Sequence, residues 1–526
     1  MLAWLRIALL PLSIAIGGCA SLPEQVQRSP SLAIASADST PLDRMALASR
    51  PADASLSGFR VIHVGITALH ARLDLLRAAQ RSLDLQYYHL HDDQTGRLVL
   101  RELRNAAERG VRVRLLLDDM YTEGMEPLLL GLAAFPNAEV RLFNPFPTRG
   151  STASRFASAL ADFSRVNRRM HNKLFVADGA VAIVGGRNLG DDYFFRSEII
   201  NFLDFDAVVV GAVLPQLGSL FDAYWNSRHA YPVDAIMRST DSPAQRRQAF
   251  DQAVAIDSAP EPPAPPATDR LGYPPLSVDL ARGSFALSWG AARAYADPPD
   301  KAIGQARAET LPSGAVLDNI RRTVVAEMSR ASEELFLTTP YFVPSAAALE
   351  GMRNNVLRGL QISILTNSLA ATDEPVVHGG YRRYRENMLR AGVRLYELSP
   401  EHSRHLVLAG MQPVPFRLHT KNAVLDHKVA FIGSMNLDPR SEEHNTELGV
   451  IAHDPVLARD MRQIIELFKR EAAYEVLLAP QRRYGLEWVR VDKAGQLEIH
   501  DDEPGVDRWT WWKVNFLSVL VPESLL

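Results

Sequence analysis

The strongest constraint on the fold is that the chain repeats itself. Residues 71–90, ARLDLLRAAQRSLDLQYYHL, read as an amphipathic helix running into a strand. Residues 100–119, LRELRNAAERGVRVRLLLDD, read as a second helix, stopped near Gly110, and a second strand rich in valine and leucine. The same helix-strand, helix-strand order returns in residues 324–342, VVAEMSRASEELFLTTPYF, and 351–367, GMRNNVLRGLQISILTN; NAEVRLFNP near 137 is echoed by AGVRLYELSP near 391. Strands alternating with helices imply α/β layers with a largely parallel or mixed sheet in each half. At 526 residues the chain exceeds one ordinary core, so two similar domains are expected. Between them the Pro-dense stretch 258–275, SAPEPPAPPATDRLGYPP, should not be helical. We expect a flexible Ala/Ser/Pro-rich tether over 19–57, domains over 58–257 and 306–485, a Pro-rich linker over 258–305 and a tail over 486–526.

Each block carries the same polar signature inside an apolar strand. RMHNKLFVAD, residues 169–178, places His171 and Lys173 on one strand face, where an unpaired charge is costly, and ends at Asp178. RLHTKNAVLD, residues 417–426, repeats the spacing with His419, Lys421 and Asp426. Downstream, VGGRN and IGSMN put Gly185 and Asn188, then Gly433 and Asn436, at matching distances from the two histidines. If the halves pack about a pseudo-two-fold axis, both sets converge on one site of two imidazoles, two ammonium groups and two amides. Such a site suits a phosphodiester. Lys173, Lys421, Asn188 and Asn436 can hold the non-bridging oxygens as charge grows on them. One histidine can attack phosphorus while the other protonates the departing alcohol. A single His–Lys set cannot serve both faces of an in-line displacement, so each copy is half a site.

These residues resemble the double HKD motif of the phospholipase D superfamily, over roughly residues 58–485. TNSLAATDEPVVHGGYRRYRENMLRAGVRLYEL (366–398) and the terminal SVLVPESLL are similar to its bacterial cardiolipin synthase branch. The resemblance implies two α/β phospholipase D-like domains about a pseudo-two-fold axis with the active site between them. It implies His171, Lys173, Asp178, His419, Lys421 and Asp426 as the catalytic set, the aspartates tending to a structural role, with His171 as the nucleophile. An acidic residue downstream of each motif would orient the histidine: Asp204 in NFLDFD, where Asp206 competes, and Glu447 in HNTELG. No metal or other cofactor is implied. The implied activity is phosphatidyl transfer, making cardiolipin from two phospholipids with phosphatidylglycerol as acceptor and phosphatidylglycerol or phosphatidylethanolamine as donor. Hydrolysis to phosphatidic acid is the alternative, and a nuclease of the same superfamily a more distant one.

The single cysteine, Cys19, ends MLAWLRIALLPLSIAIGGC, a secretory signal layout whose last four residues resemble a bacterial lipobox. We expect a signal peptide over 1–18 and diacylation of Cys19, giving an envelope lipoprotein that faces the periplasm. Ala20, rather than aspartate, leans toward the outer membrane. Net charge −4 and pI about 6.4 argue against nucleic acid as partner. HLHDD offers His89, His91 and Asp93 in a metal-hydrolase pattern, but Gln94 stands where a further ligand would follow, so no metal is expected there. In the tail, Trp509, Trp512, Phe516 and Leu520 share one helical side, which fits a membrane interface or a docked helix.

Overall fold

The computed structural model describes residues 22–516 apart from 24, 150–154, 156–162, 407–412, 483, 493, 508, 510 and 515; the expected signal peptide, Cys19 and Leu520 lie outside the described residues. In the first half the strands run, from edge to centre, Ala230–Pro232, Ala138–Phe143, Arg112–Asp118, Ser82–Tyr87, Leu174–Ala177, Val181–Gly185, Asp206–Gly211 and Ser57–Ile62. The second half repeats this from the centre outward: Ser288–Ala296, Leu448–His453, Val429–Gly433, Asn422–Leu425, Glu334–Thr338, Gln361–Asn367, Arg394–Leu398 and Ala473–Leu478. Ser57–Phe59 pairs antiparallel with Ser288–Gly290 and joins both halves into one sheet of 20 strands among the described residues. The two-fold repeat of α/β units expected from the sequence is the architecture observed.

The Val- and Leu-rich strands are buried on both faces because helices cover them. Gln94–Glu108, capped by Asp93 accepting from Gly96 N at 2.9 Å, turns Leu98, Leu100 and Leu103 inward. Pro455–Ala472, capped by Asp454, turns in Leu457, Met461, Ile464, Ile465 and Phe468 at helical spacing. These last pack into a core that also holds Phe59, Val209, Leu220 and Trp225 of the first half. Flanking cores lie within each half. The central core is thus built from both halves, which fixes them against each other and holds anything on their seam in place.

Three boundaries differ from those expected. Ser288–Ala296 lies inside the stretch 258–305 read as linker, yet it is the counterpart of Ser57–Ile62 and the first strand of the second half. Its Ala-rich sequence carries little strand preference, and the cross-half pairing decides its structure. The tether does not behave as a free one over 28–48. Arg28, Arg112 and Arg114 donate to the carbonyls of Ala230, Leu32 and Ser31 at 2.8, 2.7 and 3.0 Å, and Pro41–Ala48 is a helix closed by a Thr40–Asp43 capping box. Beyond 485, Leu486–Val491 and Leu497–His500 extend the second half's sheet. No described helix is long and apolar enough to cross a membrane.

Candidate active site

Two short parallel pairings cross the seam and build the site. Phe416–Leu418 pairs with Asn201–Leu203, Leu418 opposite Leu203, so His419 and Asp204 come next in register; His419 N donates to Leu203 O at 2.8 Å. On the other side Met170 bridges Thr446, His171 N donates to Thr446 O at 2.9 Å, and His171 and Glu447 come next. Each histidine therefore meets the carboxylate of the opposite half. His419 Nδ1 lies 2.6 Å from Asp204 Oδ2, and His171 Nδ1 lies 2.9 Å from Glu447 Oε2 and 3.1 Å from the Ser434 carbonyl. A carbonyl only accepts, so the His171 proton sits on Nδ1 and Nε2 carries the free lone pair.

The carboxylates are themselves oriented. Glu447 accepts from Ser434 Oγ at 2.5 Å and Ser441 Oγ at 2.8 Å, while its own N–H donates to Asp297 at 3.0 Å. Asp297 in turn pairs with buried Lys301 at 3.1 Å. Asp204 lies over Gly186, where a Cβ would come within 2.4 Å of its Oδ1. Gly186 corresponds to Ser434 in the other half; the side chain missing at 186 leaves the space that Asp204 fills. Asp206 is engaged elsewhere, paired with Arg72 at 2.8 Å and Arg187 at 3.1 Å. That settles which aspartate of NFLDFD faces a histidine. Arg187 itself braces the loop, donating to the carbonyls of Ile62, His63, Tyr193 and Asp204.

Lys173 Nζ donates to His171 O at 2.7 Å and Lys421 Nζ to His419 O at 2.5 Å, which keeps both ammonium groups beside the imidazoles. All four side chains are buried. Burial, reinforced by the two ammonium groups, holds both imidazoles well below their ordinary value. Burial pushes Glu447 up to about 7 and Asp204 up to about 6, and pulls Lys421 down to about 8. The seam thus buries two imidazoles, two lysines and two carboxylates together.

Asp178 and Asp426, counted with the catalytic set but expected to tend to a structural role, sit at the far ends of their strands in left-handed backbone (φ 54° and 48°). Asp178 accepts from the N–H groups of Gln80, Arg81 and Ser82, and Asp426 from those of Ser332, Glu333 and Glu334. They fasten a turn and do not join the histidines. Asn188, expected on phosphate, donates from Nδ2 to the Tyr193 hydroxyl at 2.9 Å and accepts at Oδ1 from the His89 N–H at 3.3 Å. Asn436 is buried with Oδ1 unpartnered. His89 stacks between His91 (3.6 Å) and Tyr121 (4.2 Å), and Asp93 is a helix cap. Among the described residues no group of three or more His, Cys, Asp or Glu could hold a metal ion. Sequence reasoning missed Ser441, Asp297 and Lys301, which no local motif marks, and the aromatic walls. Tyr88 stands edge-on to His171 at 4.9 Å and Tyr193 to His419 at 5.1 Å. QYYHL, at the end of a repeat strand, was the available signal for Tyr88.

A duplicated α/β fold with two His–Lys sets meeting on its seam defines a class, and the chain belongs to it: the phospholipase D superfamily. The family model described as cardiolipin synthase, PLD-like domain, matches residues 73–225 and 324–470, one copy per half. The chain is 36% identical over 474 residues to cardiolipin synthase C of Escherichia coli (strain K12), covering 89% of this chain and 96% of that one. It is also 30% identical over 443 residues to an uncharacterized protein of Helicobacter pylori (strain ATCC 700392 / 26695), covering 83% of each. Among solved structures, the phosphatidylserine synthase of Haemophilus influenzae Rd KW20 superimposes with a TM-score of 0.56 over 91% of this chain and 96% of that one. At 12% identity this likeness shows the fold.

Proposed function

We propose that the protein is a phosphatidyltransferase that makes cardiolipin from two phospholipids through a phosphohistidine on His171. The observation that carries this reading is the crossed pairing, which gives each of two buried imidazoles its own carboxylate and a neighbouring ammonium group. Nε2 of His171, free because Nδ1–H points at Glu447 and Ser434 O, attacks phosphorus. The bond from phosphorus to the headgroup oxygen breaks, and His419 gives that oxygen its proton. The substrate's negative charge offsets the two ammonium groups and favours the imidazolium that His419 needs at that moment. An acceptor hydroxyl then gives its proton to His419 and attacks phosphorus, breaking the P–N bond. Lys173, Lys421 and Asn436 hold the non-bridging oxygens, while Asp204 and Glu447 orient the rings.

Phosphatidylglycerol supplies the accepting hydroxyl, with phosphatidylglycerol or phosphatidylethanolamine as donor. A phospholipid substrate fits a membrane-associated enzyme, and diacylated Cys19, exposed by removal of 1–18, would tether it to the envelope membrane on the periplasmic side. Purified protein in liposomes of labelled phosphatidylethanolamine and phosphatidylglycerol tests the reading. Labelled cardiolipin is expected, and ethanolamine release identifies the donor. Phosphatidic acid as sole product at every lipid density would make the protein a hydrolase.

A further inference from the structure

The tail past Glu503 makes a lopsided contact with the body. Residues 509–516 are helical where described, and one side is docked: Val514 is buried, and the Trp511 ring lies 6.0 Å from Tyr484 and 5.5 Å from the Arg382 guanidinium. Trp509, Trp512 and Phe516, spaced to share one side of a helix, are 78%, 66% and 61% exposed. Three large aromatics turned together into water form an unsatisfied surface. Its orientation is fixed, because the docked side prevents the helix from rolling them under.

The position of this face matters as much as its composition. Glu503, buried, anchors the tail to the helix Pro375–Arg390 through Arg385 Nη1 at 2.9 Å, Arg382 Nε at 3.0 Å and His378 Nε2 at 3.6 Å. A Cβ on Gly505 would lie 3.4 Å from that of Ala370. Residues 370–374 lead into the same helix and border the active site: Asp373 hydrogen-bonds the Tyr341 hydroxyl and is felt by Lys421. The tail is therefore fixed to the second half through a segment that adjoins the active site.

We infer that Trp509, Trp512 and Phe516 seat in the interfacial layer of a lipid bilayer and give the folded body its own contact with the membrane. Tryptophan offers a flat apolar body with one N–H for the wet side, which suits that layer. The choice of bilayer over a protein partner rests on the phosphatidyltransferase reading, since the substrates lie in the plane this face would enter. Such docking orients the folded body, which a flexible lipid anchor on Cys19 alone would leave free to tumble.

The single cysteine makes the test direct. In full-length protein carrying Cys19→Ser, Trp512→Cys is labelled with the environment-sensitive dye NBD. Ile256→Cys, at an exposed position outside the tail, serves as control. With vesicles of phosphatidylethanolamine and phosphatidylglycerol, the label at 512 should shift to the blue and its reduction by dithionite slow by about tenfold. The label at 256 should not change. The result should be the same on a His171→Ala background, where no turnover occurs, which separates docking from chemistry. In unlabelled protein lacking residues 1–18 and carrying Cys19→Ser, Trp509→Ser with Trp512→Ser and Phe516→Ser should abolish vesicle flotation. Equal accessibility of both labels in the presence of vesicles would overturn the inference while leaving the enzymatic proposal standing. So would protection at 512 that needs no lipid and rises with protein concentration, which would mean that a second copy covers the face.

Discussion

Glu447→Gln and Asp204→Asn should separate the two histidines by role. Glu447 is fully buried, 2.9 Å from His171 Nδ1, and receives two serine hydroxyls. Glutamine keeps the shape and one acceptor but loses the charge that steadies a positive imidazole as it bonds to phosphorus. A hydrogen bond to a charged group contributes about 1.5–3 kcal/mol, so the loss should be roughly 10- to 150-fold in rate. Asp204→Asn should cost a similar factor on a natural lipid, through His419. The two diverge on a phosphatidyl ester of p-nitrophenol, whose leaving group departs without a proton. Rapid-mixing measurement of the nitrophenol burst should show Asp204→Asn within about threefold of wild type and Glu447→Gln still impaired by the full factor. The glutamine variant should remain folded. Burial raises Glu447 from 4.5 to about 7, so the folded wild type loses stability as pH rises through that window. Glu447→Gln does not titrate there and should gain stability relative to wild type from pH 4.5 to 7. Near-wild-type rates for Glu447→Gln on natural lipid would refute the orienting role, and rescue of Glu447→Gln instead of Asp204→Asn would make His419 the nucleophile.

Asp178→Ala leaves three backbone N–H groups without their acceptor, and should cost about 2–4 kcal/mol by thermal or urea denaturation while keeping activity within a few-fold at low temperature. Gly186→Ser, although it copies Ser434, drives a side chain into Asp204; activity should fall by at least about tenfold and stability by about 1–3 kcal/mol, and wild-type turnover would show that Asp204 has room to move. Lys421, lowered to about 8 by burial, and Lys173, which burial also holds well below its ordinary value, must both carry their protons to hold phosphate. The kcat/KM profile should therefore fall as pH rises, by about pH 8 at the latest, in the lipid-transfer assay, and Lys421→Met should be inactive at every pH.

Part of this is legible in the sequence alone. The helix-strand repeat and the two H-x-K-x4-D runs are local features: their residues lie within one strand, and the chemistry of imidazole and ammonium does not depend on distant context. Their duplication implied a shared site, because one set lacks the second histidine an in-line displacement needs. Which carboxylate serves which histidine was not legible, since the pairings of Leu418 with Leu203 and Met170 with Thr446 join residues more than 200 positions apart. Long-range geometry also gave Asp206 to Arg72, brought Asn188 to the His89 N–H, and made a strand of the Ala-rich Ser288–Ala296 by placing it between Ser57–Phe59 and Leu448–His453. It also pinned residues 28–48, whose composition alone reads as a tether, under the arginines of the first half. Residue type and spacing determined the chemistry that the chain can perform. Which polar group is spent on structure and which is left to face a substrate depends on neighbours that only the folded seam supplies, because a buried charge or hydrogen-bonding atom takes whatever partner the tertiary packing brings to it.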